Sequence, residues 1–384
     1  MRNLYRCLRI LTQITIISVL IFIIKDYIDL KRTAMNIVNQ IFMYENRNQT
    51  INLTQIPTTS RPSKKYLRYE CDGSGCGGWA DRLKGILSSY AFALLTDRQF
   101  SLKMTQPCNL DQIFLPNKID YRETAINLIN ETNHVYLHLI DQNEFREKAN
   151  EINLLDLHKD KEVIHIKTNN ILINKFSENK YLKEKINQMG FKPDEFKFRL
   201  LFPKWYHDLF KWTPKLKEKY DKTIKELGDS KLICAQIRIG GKRPHVSDDY
   251  QYNQMNVIEK FWHFMNETFI NKLSSKEKYR IFISTDTEKV LEEADRVFGN
   301  DKMIKIPGLH THLDRESNLG NNCERVEKTF LDFDFMKHCH MAVVSASGYG
   351  MISMMNRPEP TLNLYKFDKE FFKIDDILQL HKDF

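Results

Sequence analysis

Between residues 231 and 365, short apolar runs alternate with segments of helical period, and this alternation leaves little choice of fold. Residues 231–239 read as an apolar strand that ends on Gly240-Gly241, with a helix expected around 256–273. A strand at 280–284 runs into Thr285-Asp286-Thr287, which opens a helix carrying Val290, Leu291, Ala294 and Val297 on one face. A strand at 302–306, a helix at 326–339 and a strand at 341–345 follow. Ala346-Ser347-Gly348 then turns into a helix ending at Asn356, and 361–365 closes the series. Strands separated by helices lie parallel, and strands covered on both faces read as unbroken apolar runs. The expectation is an α/β domain with a doubly wound parallel sheet.

A second unit of the same kind begins near Tyr66. A short strand at 66–71 meets the glycine-rich turn 72–78, and Leu83, Ile86, Leu87, Tyr90, Ala91 and Leu94 then recur at helical spacing before a strand at 99–104. Strand, turn, helix, strand is a βαβ opening. Residues 105–215 are rich in Asn and Lys. Strands are expected there at 135–140 and 162–167, and 196–212 is aromatic, helical or irregular. Two such halves facing a cleft make a GT-B type architecture, with Rossmann-like domains at 66–220 and 221–384.

The start of the chain has a different character. Residues 10–24 contain no charge; Arg2, Arg6 and Arg9 precede them, and Lys25 and Asp26 follow. Extended back to Leu8, the stretch makes about 25 Å of helix. No small-residue cleavage site follows, so it reads as a retained anchor at 10–25 rather than a signal peptide. The arginines hold the tail 1–9 in the cytosol and place the rest in the lumen, a type II topology in the Golgi or endoplasmic reticulum. Residues 26–65, rich in Asn, Thr, Gln, Pro and Ser toward their end, form a stem. Asn-x-Ser/Thr triplets at Asn48, Asn52, Asn130 and Asn266 fit that compartment. So do six cysteines beyond the anchor, Cys71, Cys76, Cys108, Cys234, Cys323 and Cys339, some of which should pair; Cys234, inside an apolar strand, is expected as a buried free thiol. The net charge of +8 is spread along the chain among acids, which argues against nucleic acid as partner.

Three turns at strand ends carry groups suited to a diphosphate. Arg238, at the tip of 231–239, can grip phosphate oxygens with a two-pronged guanidinium; Gly240 permits close backbone approach, and Lys242 adds a cation. The alternative for Arg238 is a surface salt bridge. Ser345, Ser347 and Gly348 lead a strand into a helix N-terminus, where free N–H groups favour an anion, although a serine there is also an ordinary cap. Asp286 can accept from a guanine edge or cap its helix. The turn at 72–78 matches no standard phosphate loop and suits the acceptor side, with Gly78, Asp81 and Arg82 pointing into the cleft. A base near the acceptor hydroxyl would help transfer; Asp81, Asp248 and His245 are the candidates.

Taken together these segments resemble the superfamily of α1,2-, α1,6- and protein O-fucosyltransferases. The resemblance rests on Gly77-Gly78-Trp79-Ala80-Asp81-Arg82-Leu83 with Ala93-Leu94-Leu95-Thr96-Asp97-Arg98, on Gln236-Ile237-Arg238-Ile239-Gly240-Gly241, and on Asp332-Phe333 and Met336 leading to Ser345-Ala346-Ser347-Gly348-Tyr349-Gly350. It covers about 66–110 and 230–357. It implies a metal-independent, inverting enzyme with no cofactor that moves fucose from GDP-fucose to a hydroxyl of a glycan or glycoprotein. By the same resemblance Arg238 binds the β-phosphate, Ser345, Ser347 and Gly348 line the phosphates, and Asp286 contacts guanine. Two positions depart from the family: Gln236 replaces a common His and Ala80 a common Gly.

Other readings exist. An inactive membrane-tethered homologue or glycan-binding protein would keep the cleft and lose the donor. A Golgi sulfotransferase would want a phosphate loop where Asp81 stands. Asp332-Phe333-Asp334 could serve a metal-dependent transferase, but Val326, Phe330, Phe333 and Met336 recur at helical spacing around it, so no metal is expected.

Overall fold

Strand β1 (Tyr66–Cys71) is buried everywhere except at Glu70, as a parallel strand covered on both faces should be. It lies in a four-stranded sheet of order β2-β1-β5-β4, with β2 at Gln99–Met104, β4 at His134–Leu139 and β5 at Val163–Thr168, all parallel. A small antiparallel pair, β3 (Phe114–Pro116) and β6 (Phe210–Trp212), sits apart from it. The computed structural model describes residues 64–73, 75–122, 125–140, 142–242, 247–251, 253–314 and 323–377. The expected anchor and nearly all of the stem lie outside them. Among the described residues no helix is long and apolar enough to cross a membrane.

Helix α1 (Trp79–Leu95) is buried on almost every side, because it packs on the first sheet, on α5 and on α10. Helices α2 (Asn143–Lys148), α3 (Ile173–Glu178), α4 (Lys183–Gln188), α5 (Phe198–Leu209) and α6 (Pro214–Leu227) follow. The aromatic run at 196–212 is thus a helix followed by a strand. Its rings join those of α1 and of a later helix: Phe210 meets Trp79 at 5.9 Å, and Tyr206 meets Phe333 at 6.0 Å. Ser63–Phe384 accordingly forms one compact unit.

The second sheet has the order β11-β10-β7-β12-β13-β14. Its parallel strands are β7 (Lys231–Ile237), β10 (Tyr279–Thr285), β11 (Met303–Ile304), β12 (Cys339–Ser345) and β13 (Leu364–Asp368); β14 (Glu370–Lys373) turns back antiparallel. A hairpin of β8 (Gly240–Lys242) and β9 (Ser247–Gln251) projects beyond β7. The helices are α7 (Ile258–Thr268), α8 (Glu288–Phe298), α9 (Glu327–Phe335) and α10 (Gly348–Met354). The alternation expected at 231–365 is therefore present, with the strand at 302–306 reduced to two residues.

Three disulfides tie the described chain: Cys71–Cys76, Cys108–Cys323 and Cys234–Cys339. The last corrects the expectation of a free Cys234. Strand β12 lies directly beside β7, and an irregularity between Cys339 and Met341 brings the two Cα atoms to 5.8 Å. Which strand neighbours β7 is not visible in the residues themselves.

Helix α6 packs on the second sheet's layer, so the boundary read at 220/221 falls within that helix. There the Tyr220 hydroxyl donates to the Asp334 carbonyl at 3.3 Å and lies 2.8 Å from His338 Nε2. Burial, followed by the Lys337 ammonium, pushes the His338 imidazole down to about 4. The unfolded chain would protonate it near 6.5. The unfolded state thus binds the extra proton between these values, and stability present above pH 6.5 is lost as pH falls toward 4. We expect urea midpoints to fall across that window and His338→Gln to lessen the fall. An unchanged slope in the variant would contradict this.

Candidate active site

In the second sheet the chain leaves β7 toward β10 and β11 on one side and later returns to β12 on the other. Helices diverging from such a switch point leave a crevice at the carboxyl ends of the two strands. Arg238 is the first residue past β7, Ser345 the last of β12, and Ser347 the N-cap of α10. The crevice between β7 and β12 therefore holds the groups the sequence singled out.

The loop after β7 is held by its backbone. The Arg238 N–H donates to Ser345 Oγ at 3.0 Å, and that hydroxyl donates to Gln236 Oε1 at 3.1 Å. The Asn253 amide donates to the Arg238 carbonyl at 2.7 Å. Both oxygens of Asp286 accept backbone N–H groups, from Ile239 and Gly240, each at 2.9 Å. Gly240 and Gly241 have φ of 70° and 76°, a conformation few side chains tolerate. With its backbone fastened, Arg238 carries its guanidinium to the loop after β11, where Nη2 lies 3.5 Å from His312 Nε2.

Several expectations are corrected by this network. Ser345 is 1% exposed and its hydroxyl holds Arg238, so it is not a lining group for phosphate. Asp286 is not the N-cap of its helix, which is Thr287; its two oxygens staple the loop on which Gly240 sits. Gln236 is buried and positions Ser345, while its Oε1 lies where a Cβ on Gly350 would come within 2.4 Å. Ser347 is different. It is 4% exposed, makes no cap bond, and its hydroxyl finds no partner among the described residues. Buried hydroxyls are rarely left so, and a ligand at the crevice would satisfy this one. Gly348 opens α10 beside it.

The glycine-rich turn faces this edge from the first half. The Gly77 N–H donates to Asp314 at 3.2 Å, and a Cβ on Gly78 would lie 3.8 Å from His312 Nε2 and 3.9 Å from Asp81 Oδ2. Asp81 is partly open at the start of α1, where it accepts the Gly78 N–H at 3.2 Å and pairs with Lys84 at 2.8 Å. Arg82 is not in the cleft. It is fully buried, donating to the Gly77 and Gln106 carbonyls and lying 3.7 Å from Asp314. Burial pulls its guanidinium pKa down, against the raising effect of Tyr69, Asp314 and Asp81. Arg82 and Asp314 thus join the two halves beneath the turn. Lys242 and Asp248 lie on the β8–β9 hairpin, of which the structure describes the backbone at these positions, and His245 lies outside the described residues.

The acidic triplet does not form a metal site. Asp332 and Asp334 are each 3% exposed and serve different partners: Lys328 holds Asp332 at 3.0 Å, and Trp212 and Lys337 bind Asp334 at 3.2 and 3.0 Å. Burial raises the Asp332 carboxyl above its ordinary range despite Lys328. Among the described residues no cluster of three His, Cys, Asp or Glu could hold a metal ion.

His312 and Asp314 were missed by the sequence reading. They lie in the loop after β11, fastened by His310 to the Thr285 carbonyl at 2.8 Å and by the Thr311 hydroxyl to the Arg325 carbonyl at 2.9 Å. The usable signal was the position of His310-Thr311-His312-Leu313-Asp314 after a strand of a parallel sheet, where ligand-binding groups collect.

A fucosyltransferase from Arabidopsis thaliana, FUT1, solved as a mutant in complex with GDP, superposes with a TM-score of 0.54 at 13% identity over 84% of this chain and 74% of that one. The chain has a fucosyltransferase fold. Looser likenesses are to the fucosyltransferase NodZ from Bradyrhizobium (TM-score 0.46, 13% identity, 81% of this chain and 99% of that one) and to POFUT1 in complex with GDP-fucose (TM-score 0.41, 10% identity, 79% and 96%). No family model and no curated protein sequence matches the chain. In this fucosyltransferase fold the crevice built above is the one between β7 and β12.

Proposed function

We propose that the chain is an inverting, metal-independent glycosyltransferase of GT-B architecture that moves fucose from GDP-fucose to a hydroxyl of a glycan or glycoprotein. The observation that carries this is the placing of Arg238, just past β7, and of the unpartnered Ser347 hydroxyl, at the start of α10, at the carboxyl ends of two adjacent parallel strands. A leaving GDP gathers negative charge on its β-phosphate, and a fixed guanidinium at that place stabilises the charge as it develops. The fold shared with a plant enzyme solved with GDP supports a guanosine nucleotide as donor. Gln236 fills a holding role through Ser345, and Ala80 is buried at 4% exposure. Neither departure from the family obstructs the crevice, which favours an active enzyme over an inactive homologue. Three disulfides and the apolar stretch 10–24 support a type II anchor facing an oxidising lumen.

The test is incubation of the full chain with a panel of sugar nucleotides, with and without EDTA. Release of GDP from GDP-fucose, unchanged by the chelator, is expected. Loss of activity with EDTA would refute metal independence. No nucleotide release and no heat on titration with GDP would favour the glycan-binding alternative.

A further inference from the structure

Resting on the transfer reading above, we infer that His312 is the general base and that the acceptor hydroxyl sits over Gly78. Three groups converge there from both halves of the fold. His312 Nε2 and Asp81 Oδ2 lie 3.8 and 3.9 Å from the point where a Gly78 side chain would start, and His312 Nε2 is 3.5 Å from the Arg238 guanidinium. Gly78 has φ of −70°, so nothing in its backbone requires glycine, and an added methyl would meet both neighbours at ordinary contact distance. Its missing side chain therefore leaves a gap whose walls are an imidazole and a carboxylate. A guanidinium offers only N–H groups, so the imidazole nitrogen facing it carries a lone pair. When the guanidinium turns to the donor's diphosphate, that lone pair is released to an acceptor oxygen over Gly78. Asp81 is already engaged by Lys84 and the Gly78 N–H.

The step balances without a further reagent. The acceptor oxygen attacks the anomeric carbon and its proton passes to His312 Nε2. The new carbon–oxygen bond forms as the bond to the β-phosphate oxygen breaks, and its electron pair leaves on GDP, whose charge Arg238 receives.

The acceptor being unidentified, water serves as probe: hydrolysis of GDP-fucose by the full chain, followed from pH 5 to 9, with GDP affinity measured by calorimetry. His312→Gln is expected to lower kcat by about 10²- to 10⁴-fold and to flatten the acid limb of the profile, while leaving GDP affinity within about 3-fold. Gly78→Ala, which fits the fold, is expected to lower kcat at least about 10-fold with GDP affinity likewise retained. It carries the test if the His312 variant does not fold. A His312→Gln enzyme with the original kcat and acid limb, or one whose whole loss lies in GDP affinity, would overturn the assignment while leaving the transfer reading intact. A wild-type chain that neither binds GDP nor cleaves GDP-fucose would overturn both.

Discussion

Arg238→Ala lowers fucosyl transfer by about 10³-fold or more and leaves the melting temperature within about 2 °C. The first part follows from the role of the side chain. A donor aimed at developing oxyanion charge is worth about 3–4 kcal/mol in a preorganised site, and a two-pronged guanidinium makes two such bonds. The second part follows from how the residue is held. Its attachments to Ser345 and Asn253 run through backbone N–H and C=O, which alanine keeps. GDP affinity should fall together with turnover, since the same guanidinium meets the diphosphate before and after bond cleavage. Steady-state kinetics with GDP-fucose, paired with a thermal melt, separates the outcomes. Near-normal turnover would remove Arg238 from the site, and a lost fold would show that its side chain serves packing instead.

Gly85→Ala is the largest expected loss of stability. In an exposed helix this change would stabilise by about 1 kcal/mol, since alanine is the better helix former. Here the new Cβ would lie 1.9 Å from the Thr168 carbonyl oxygen and 2.7 Å from the Tyr69 ring. Thr168 cannot move aside easily, because it pairs with Leu139 of β4 and the chain just beyond it is tied through the Asn170 carbonyl to the Ser88 hydroxyl. Helix α1 would have to lift off the sheet. We expect a cost above about 3 kcal/mol and a melting temperature lower by at least about 5 °C. Because α1 begins at the turn carrying Gly78 and Asp81, transfer should fall as well. A variant as stable as wild type would mean that α1 does not press on β5.

The second sheet was legible because β7, β10 and β12 each carry an apolar run at their centre between helices of clear period. The middle of the chain was not, because its elements find their partners far away. Strand β3 pairs with β6 nearly a hundred residues later, and Cys108 with Cys323 across the two halves. Local patterns cannot carry such pairings. The same limit explains Cys234, whose partner is chosen by which strand lies alongside. At the site, residue types at strand tips singled out Arg238 and Ser347, which lie past the ends of adjacent strands β7 and β12. They could not say which polar groups would be consumed internally. Ser345, Asp286 and Arg82 are all used to hold the loop and the turn in place. His312 escaped notice because a single imidazole in a loop gains meaning only when a turn from the other half closes over it.

The most direct measurement is a crystal structure of the full chain grown with GDP. The diphosphate is expected within about 3 Å of both the Arg238 guanidinium and Ser347 Oγ, between the ends of β7 and β12. Nucleotide bound anywhere else, or a crevice left closed by Arg238 at saturating GDP, would contradict the account.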